Sequence, residues 1–220
     1  MADDLIIVGA GGFGRETVDV VEAINAAAAV PSWHLLGLVD DALTESNARR
    51  LRARGLRHLG SLEDLLALEA RPRYVVGIGS PLVRRRIAER LDAAGFSAVT
   101  LTHPQATIGS EVTIGSGTVV CAGARVTTNI RLGKHVHLNP NATVGHDTVL
   151  GDFVSMNPAS SVSGDCVVED EVLIGVGGVV LNQLTVGAAA VIGGSACVVR
   201  DVPPGAVMVG VPARPMEVNL

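Results

Sequence analysis

Stepping by six from Ile108 meets an aliphatic side chain sixteen times running: Ile114, Val120, Val126, Leu132, Leu138, Val144, Leu150, Met156, Val162, Val168, Ile174, Val180, Val186, Ile192 and Val198 follow. Random placement gives such a run with a probability of about 10⁻⁸. The position two earlier is small or aliphatic as well, as at Ala106, Val112, Thr118, Ala124, Ile130, Val136, Ala142, Thr148 and Val154. Gly follows the aliphatic at 109, 115, 133, 145, 151, 175, 187 and 193. A period of six is neither helical nor a simple strand alternation. It predicts a solenoid with three short flat faces per coil, one aliphatic per face pointing inward. Small residues would fill the narrow interior, and Gly or Asn would take corners where φ turns positive. Sixteen hexads make about five coils, stacked about 4.8 Å apart.

Composition agrees with so thin a prism. Five of 220 residues are aromatic (Phe13, Trp33, Tyr74, Phe96 and Phe153), and a ring would not fit inside. The formal charge of −5 argues against nucleic acid as a partner, because counterion release needs a basic surface. Three cysteines, Cys121, Cys166 and Cys197, show no C-x-x-C spacing, so neither a disulfide framework nor a Cys-based zinc site is indicated. Residues 172–199 carry no charge over 28 positions, long enough to span a bilayer. Their hexad period, six glycines, Asn182 and Gln183 assign them to the solenoid instead. The opening Met-Ala-Asp-Asp lacks the basic stretch of a signal peptide. The expectation is a cytoplasmic protein with neither membrane nor metal.

The chain divides at the start of the repeat, into 1–101 and 102–220. In the first part, Leu5–Val8 and the following glycines read as a buried strand, a turn and a helix reaching about Ala29. Gly9-x-Gly11-x-x-Gly14 matches the dinucleotide fingerprint. A second strand, Leu35–Val39, ends in Asp40-Asp41, and a third, Tyr74–Ile78, ends in Gly79-Ser80-Pro81. Ser80 as N-cap and Pro81 at the first helical position open a helix through Val83–Ala94, followed by a short strand near Ala98–Leu101. This is an α/β, Rossmann-like half domain. Its glycine loop admits three readings. The helix N-termini at Gly11–Gly14 and Gly79–Ser80 hold the diphosphate of a nucleotide-linked substrate, or Asp40 binds the ribose of NAD, or the turns are structural.

Among six histidines, His146 stands out because Asp147 follows it directly. A neutral imidazole suits removal of a proton from a nucleophile, and a neighbouring carboxylate fixes its tautomer. Successive strand residues point to opposite faces, so the pair needs a bend at the corner. His34 and His58 read as solvated, His103 shapes the entry to the coil, and His135 and His137 both point outward. Arg49–Arg57 and Arg84-Arg85-Arg86 read as solvated surface.

The hexads, together with the ending Asp201–Met216, resemble the hexapeptide-repeat acyltransferases, whose members form a left-handed parallel β-helix and assemble as homotrimers. The hand of the coil rests on this resemblance alone. A Rossmann-like half domain leading directly into hexads resembles the bacterial sugar acetyltransferases of the bacillosamine-pathway and sialic-acid O-acetyltransferase type. The resemblance implies an acetyl-CoA-dependent N-acetyltransferase acting on a nucleotide-linked amino sugar, with active sites between subunits. His146 would be the general base beside Asp147. It implies sugar-nucleotide contacts at Gly11, Gly12, Phe13, Gly14, Asp40, Asp41, Gly79 and Asn139, and acetyl-CoA contacts at Ser155, Gly164, Val176 and Gly194. Ser155 stands where bacillosamine-type members carry a second histidine, and Phe13 where the loop is often polar. Sugar O-acetylation and a non-catalytic β-helix binding protein are the alternatives.

Overall fold

A computed structural model describes residues 2–216. The N-terminal part is built on β1 (Asp3–Val8), β2 (Trp33–Val39) and β3 (Arg73–Val76), parallel in the order β2-β1-β3. Leu5, Ile6, Ile7 and Val8 are all buried, because β1 is central and covered on both faces. Four helices complete it: α1 (Gly12–Ala27), α2 (Glu45–Ala53), α3 (Leu62–Leu66) and α4 (Pro81–Ala93). Ser80 caps α4 with Pro81 following, as the sequence predicts, and Ser61 and Asp64 form a capping box on α3. The strand expected near Ala98–Leu101 is reduced to one bridge, Tyr74 to Ala98. Leu101–Thr102 pairs with Val119–Val120 instead and so already belongs to the coil.

From Leu101 the chain winds through seventeen two-residue strands, ending at Cys197–Val198. They form three parallel ladders in which each residue pairs with the one eighteen further on, as Thr143 pairs with Ser161. The first face carries 101–102 and its successors, the second 107–108 and the third 113–114. Both the hexad aliphatics and the residues two before them point inward: Val120, Ala124, Val126, Ile130 and Leu132 belong to one continuous core. Val207–Val209 and Arg214–Pro215 close the first face as an antiparallel pair. This is a parallel β-helix with three faces per coil, and its left hand is the one the resemblance implies. No helix among the described residues is long and apolar enough to cross a membrane, and residues 172–199 wind around the coil.

Gly or Asn takes the positive-φ corner, as expected, at Gly117, Gly123, Gly177, Asn129 and Asn141, and other residue types fill the remaining corners. Positive φ recurs every six residues from Glu111 to Ser195, three positions after the aliphatic, at Asn129, His135, Asn141, Asp147, Phe153 and others. The glycines directly after the aliphatic are there for clearance. A Cβ on Gly109 would lie 2.2 Å from the carbonyl oxygen of Thr127, and one on Gly115 2.5 Å from Gly133 backbone atoms.

The two parts share a core. Leu101, Val119 and Cys121 on the first face cluster with Leu5, Ile7, Val18 and Val21. The α/β part is therefore seated on the first face of the coil, and α4 lies over the corner between the third face and the first.

Candidate active site

His146 stands on the corner between the second and third faces, where positive φ at Asp147 (59°) supplies the required bend. The reversal brings Asp147 Oδ2 within 2.7 Å of His146 Nδ1. Asn129, one coil earlier, donates from Nδ2 to the other oxygen, Oδ1, at 3.1 Å. These two hydrogen bonds hold the Asp147 carboxyl below its usual range, that from His146 contributing most. A carboxylate at Nδ1 keeps the proton there and leaves Nε2 as an acceptor. The imidazole lies over Gly164 of the next coil, where a Cβ would sit 2.5 Å from its Cε1 and Nε2. The His146 side chain is 63% exposed.

Val176 and Gly194 lie on a different edge, between the first and second faces, stacked through the bond from Ser195 N to Val176 O. Val176 is open to solvent. Asn139 is on that same edge but buried, its Nδ2 donating to Met156 O at 3.0 Å. Within one chain, then, His146 and Gly164 face one flank of the second face, and Asn139, Val176 and Gly194 the other.

Ser155 is corrected. It is 1% exposed beneath the α/β part, and its hydroxyl accepts from Arg84 Nη2 at 2.9 Å and donates to Gly79 O at 3.1 Å. Enclosed in this way, it does not border an open groove for acetyl-CoA. Phe13, in the glycine loop, also reaches the domain junction. Its ring turns toward the coil and meets the His137 ring at 4.4 Å between centroids.

The glycine loop divides by function. Gly9 (φ 108°) and Gly14 are required sterically, since a Cβ on Gly14 would collide with the carbonyl oxygen of Gly9. Around Gly11, Gly12 and Gly79 nothing lies within 4 Å of a built Cβ, so packing does not explain them. Gly11 caps α1 with no side-chain hydrogen bond and no acidic residue in the first turn, leaving amides free for an anion. Asp40 accepts from Ala10 N at 2.7 Å and Ala42 N at 2.8 Å, and Asp41 accepts from Leu62 N at 2.6 Å. Both carboxylates brace the rim of a cavity of about 220 Å³ between the carboxyl ends of β1 and β2 and the start of α4.

Arg84 and Arg85 are not solvated surface. Arg84 is fully buried, and desolvation pushes its pKa down to about 9. Arg85 pairs with Asp170 and Glu171 on the coil and stacks over Phe153. His135 and His137 do point out of the coil, but the α/β part covers them. His135 stacks on Phe153 at 5.1 Å and burial lowers its pKa to about 4, while burial drives His137 well below the usual value. The eighteen-residue offset from His135 to Phe153 was a readable sign of this stack. Three of the five aromatics, Phe13, Tyr74 and Phe153, converge on the two imidazoles. No cluster of metal-ligating side chains occurs among the described residues.

An eighteen-residue coil of three six-residue faces, with a histidine–carboxylate pair open on its corner, is the architecture of a hexapeptide-repeat acyltransferase. Residues 4–91 match the family model described as the PglD N-terminal domain. The acetyltransferase domain of PglB from Neisseria gonorrhoeae FA1090 is 32% identical, with a TM-score of 0.81 over 97% of this chain and 100% of that one. A mutant of perosamine N-acetyltransferase from Caulobacter crescentus, solved with CoA and GDP-perosamine, is 28% identical, with a TM-score of 0.82 over 98% of this chain and 97% of that one. GDP-perosamine N-acetyltransferase from Escherichia coli O157:H7 is 31% identical over 141 residues, 64% of this chain and 61% of that protein. The chain belongs to this family of hexapeptide-repeat sugar acetyltransferases with a PglD-type N-terminal domain.

Proposed function

We propose that the protein is an acetyl-CoA-dependent N-acetyltransferase acting on the amino group of a nucleotide-linked amino sugar in the cytoplasm. The observation that carries this reading is the imidazole of His146, held at Nδ1 by Asp147 and presenting Nε2 above Gly164. The relatives support the substrates. The Caulobacter enzyme binds CoA and GDP-perosamine, and the Neisseria domain has also been solved with acetyl coenzyme A.

In the proposed reaction the neutral sugar amine attacks the thioester carbonyl carbon of acetyl-CoA. His146 Nε2 takes the proton from the amine as the nitrogen–carbon bond forms. Asp147 stabilises the resulting imidazolium. The carbon–sulfur bond then breaks, and the departing thiolate receives the proton held at His146 Nε2, which gives CoA and restores the neutral imidazole. The diphosphate would bind at Gly11, Gly12, Gly14 and Gly79, with Asp40 and Asp41 at the rim. A base this exposed needs a wall against water. A homotrimer supplies one by placing the Asn139–Val176–Gly194 edge of one copy against the His146–Gly164 edge of the next.

The test is CoA-thiol release from acetyl-CoA with GDP-, UDP- and dTDP-linked amino sugars and with free sialic acid, comparing wild type with His146→Ala. Release with one nucleotide amino sugar, lost in the variant, supports the reading. Release with sialic acid alone would replace it with O-acetylation, and activity retained in His146→Ala would remove the base. A fully active monomer in sedimentation would overturn the trimer.

A further inference from the structure

Arg84 is an unusual buried charge. Its Nε donates to His135 O at 2.9 Å, Nη1 to Ile78 O at 2.8 Å, and Nη2 to Phe153 O at 2.7 Å and Ser155 Oγ at 2.9 Å. Gly79 O accepts a longer bond from Nη1 and a second from Ser155 Oγ at 3.1 Å. No carboxylate is among these partners. A buried charge of this kind is poor value for stability, since an apolar side chain of similar volume often serves as well or better. Its fork of donors does something an apolar side chain cannot, which is to fix direction.

The partners lie on two sides of the domain junction. Ile78 and Gly79 form the turn that starts α4, and Ile78 lines the 220 Å³ cavity at the strand ends. His135 and Phe153 occupy the same corner in successive coils, and Ser155 lies on the adjoining face. One guanidinium therefore ties the rim of the nucleotide crevice to two coils of the solenoid. Ser155 is bonded to both the guanidinium and the Gly79 carbonyl. Arg85, the next residue, adds its pairs with Asp170 and Glu171 one coil further on.

We propose that Arg84 and Ser155 are positioning residues: together they fix the Ile78–Gly79 turn against the coil and so set where a nucleotide held at that turn presents its sugar. The proposal rests on the functional reading above, because it matters for catalysis only if the nucleotide is anchored on the α/β part. A misplacement of about 1 Å at the reacting atoms costs about a hundredfold in rate.

The experiment compares wild type, Arg84→Lys and Ser155→Ala with two acceptors, a nucleotide-linked amino sugar and the same sugar without its nucleotide. Positioning expects kcat/KM for the linked acceptor to fall about tenfold or more in Arg84→Lys, and less in Ser155→Ala. KM for acetyl-CoA and the slow rate with the bare sugar should stay within about twofold. A parallel fall with both acceptors, or no fall with either, overturns the proposal. If Arg84→Lys does not fold, Ser155→Ala alone carries the comparison.

Calorimetry separates this proposal from the functional reading. Wild-type protein silent with every acceptor would refute the proposed function and leave the junction to be judged by unfolding. The lock then predicts one transition in wild type and a separate, earlier melting of the α/β part in Ser155→Ala. A single transition shared by wild type and variant refutes the lock.

Discussion

At the scale of single residues, the orientation of one amide decides whether His146 works. Asn129 Nδ2 donates to Asp147 Oδ1, and the remaining carboxylate oxygen faces His146 Nδ1. In Asp147→Asn, with Asn129 oriented as it is here, the new amide offers its oxygen to Asn129 and so turns its NH₂ toward Nδ1. An imidazole facing a donor there carries its proton on Nε2 and can no longer accept one. Asp147→Asn is therefore expected to lose about 10²- to 10⁴-fold in kcat, as much as removing the base. Exchanging the pair, Asn129→Asp with Asp147→Asn, restores an oxygen opposite Nδ1 and should recover part of the rate. Recovery no better than Asp147→Asn alone would sink the tautomer argument. Gly164→Ala makes a separate point, since its Cβ would occupy the space of the imidazole. A fall of about tenfold or more in kcat is expected in steady-state assays. The His146-Asp147 dipeptide and its need for a bend were legible in the sequence, but the positive φ at Asp147 that supplies the bend and the role of Asn129 were not. They depend on the eighteen-residue stacking of coils.

At the scale of the coil, two kinds of corner residue do different jobs. The residue three after each aliphatic from Ile108 to Ile192 takes positive φ, and it is Gly at three of these positions but Asn, Asp, His, Phe, Glu, Gln, Ser or Ala at the others. The glycine just after the aliphatic is fixed by the next coil, whose backbone fills the place of a Cβ. Gly115→Ala should therefore lower stability by about 1–3 kcal/mol through overpacking. Ala189→Gly, at φ 57°, should change it by less than about 1 kcal/mol, because relief of left-handed strain offsets the added freedom of the unfolded chain. Thermal unfolding of the two variants checks this, and equal losses would contradict it. The inward aliphatics were fully legible because each occupies a position dictated by the period. The reason for the glycines was not, since periodicity along one chain does not reveal a clash between coils. Arg84 was hidden in the same way: three consecutive arginines on a helix look solvated until the coil beneath supplies carbonyls.

At the scale of the whole molecule, the junction of the two parts is a layer of uncharged imidazoles. His135 and His137 are buried among Phe13, Tyr74 and Phe153. Arg84 and Lys134 disfavour a further positive charge on His135, while Asp92 and Asp152 favour it, and burial outweighs all four. His137 is held neutral first by burial and then by Arg84 and His135. The unfolded chain protonates both near the ordinary histidine value of about 6.5, whereas the folded chain resists until about 4 at His135, and burial likewise holds His137 well below the ordinary value. Between these limits the unfolded state binds more protons, so stability must fall as pH falls. Each histidine contributes up to about 1.4 kcal/mol per pH unit. The carboxylates begin to contribute only nearer pH 4, which leaves the interval from about 6.5 to 5 to the imidazoles. In that interval the thermal midpoint of wild type, measured at fixed protein concentration, should drop steadily, and His137→Gln should show a shallower slope whatever its absolute stability. A flat wild-type profile would mean that the imidazoles take up protons in the folded molecule, and that the junction is open to water.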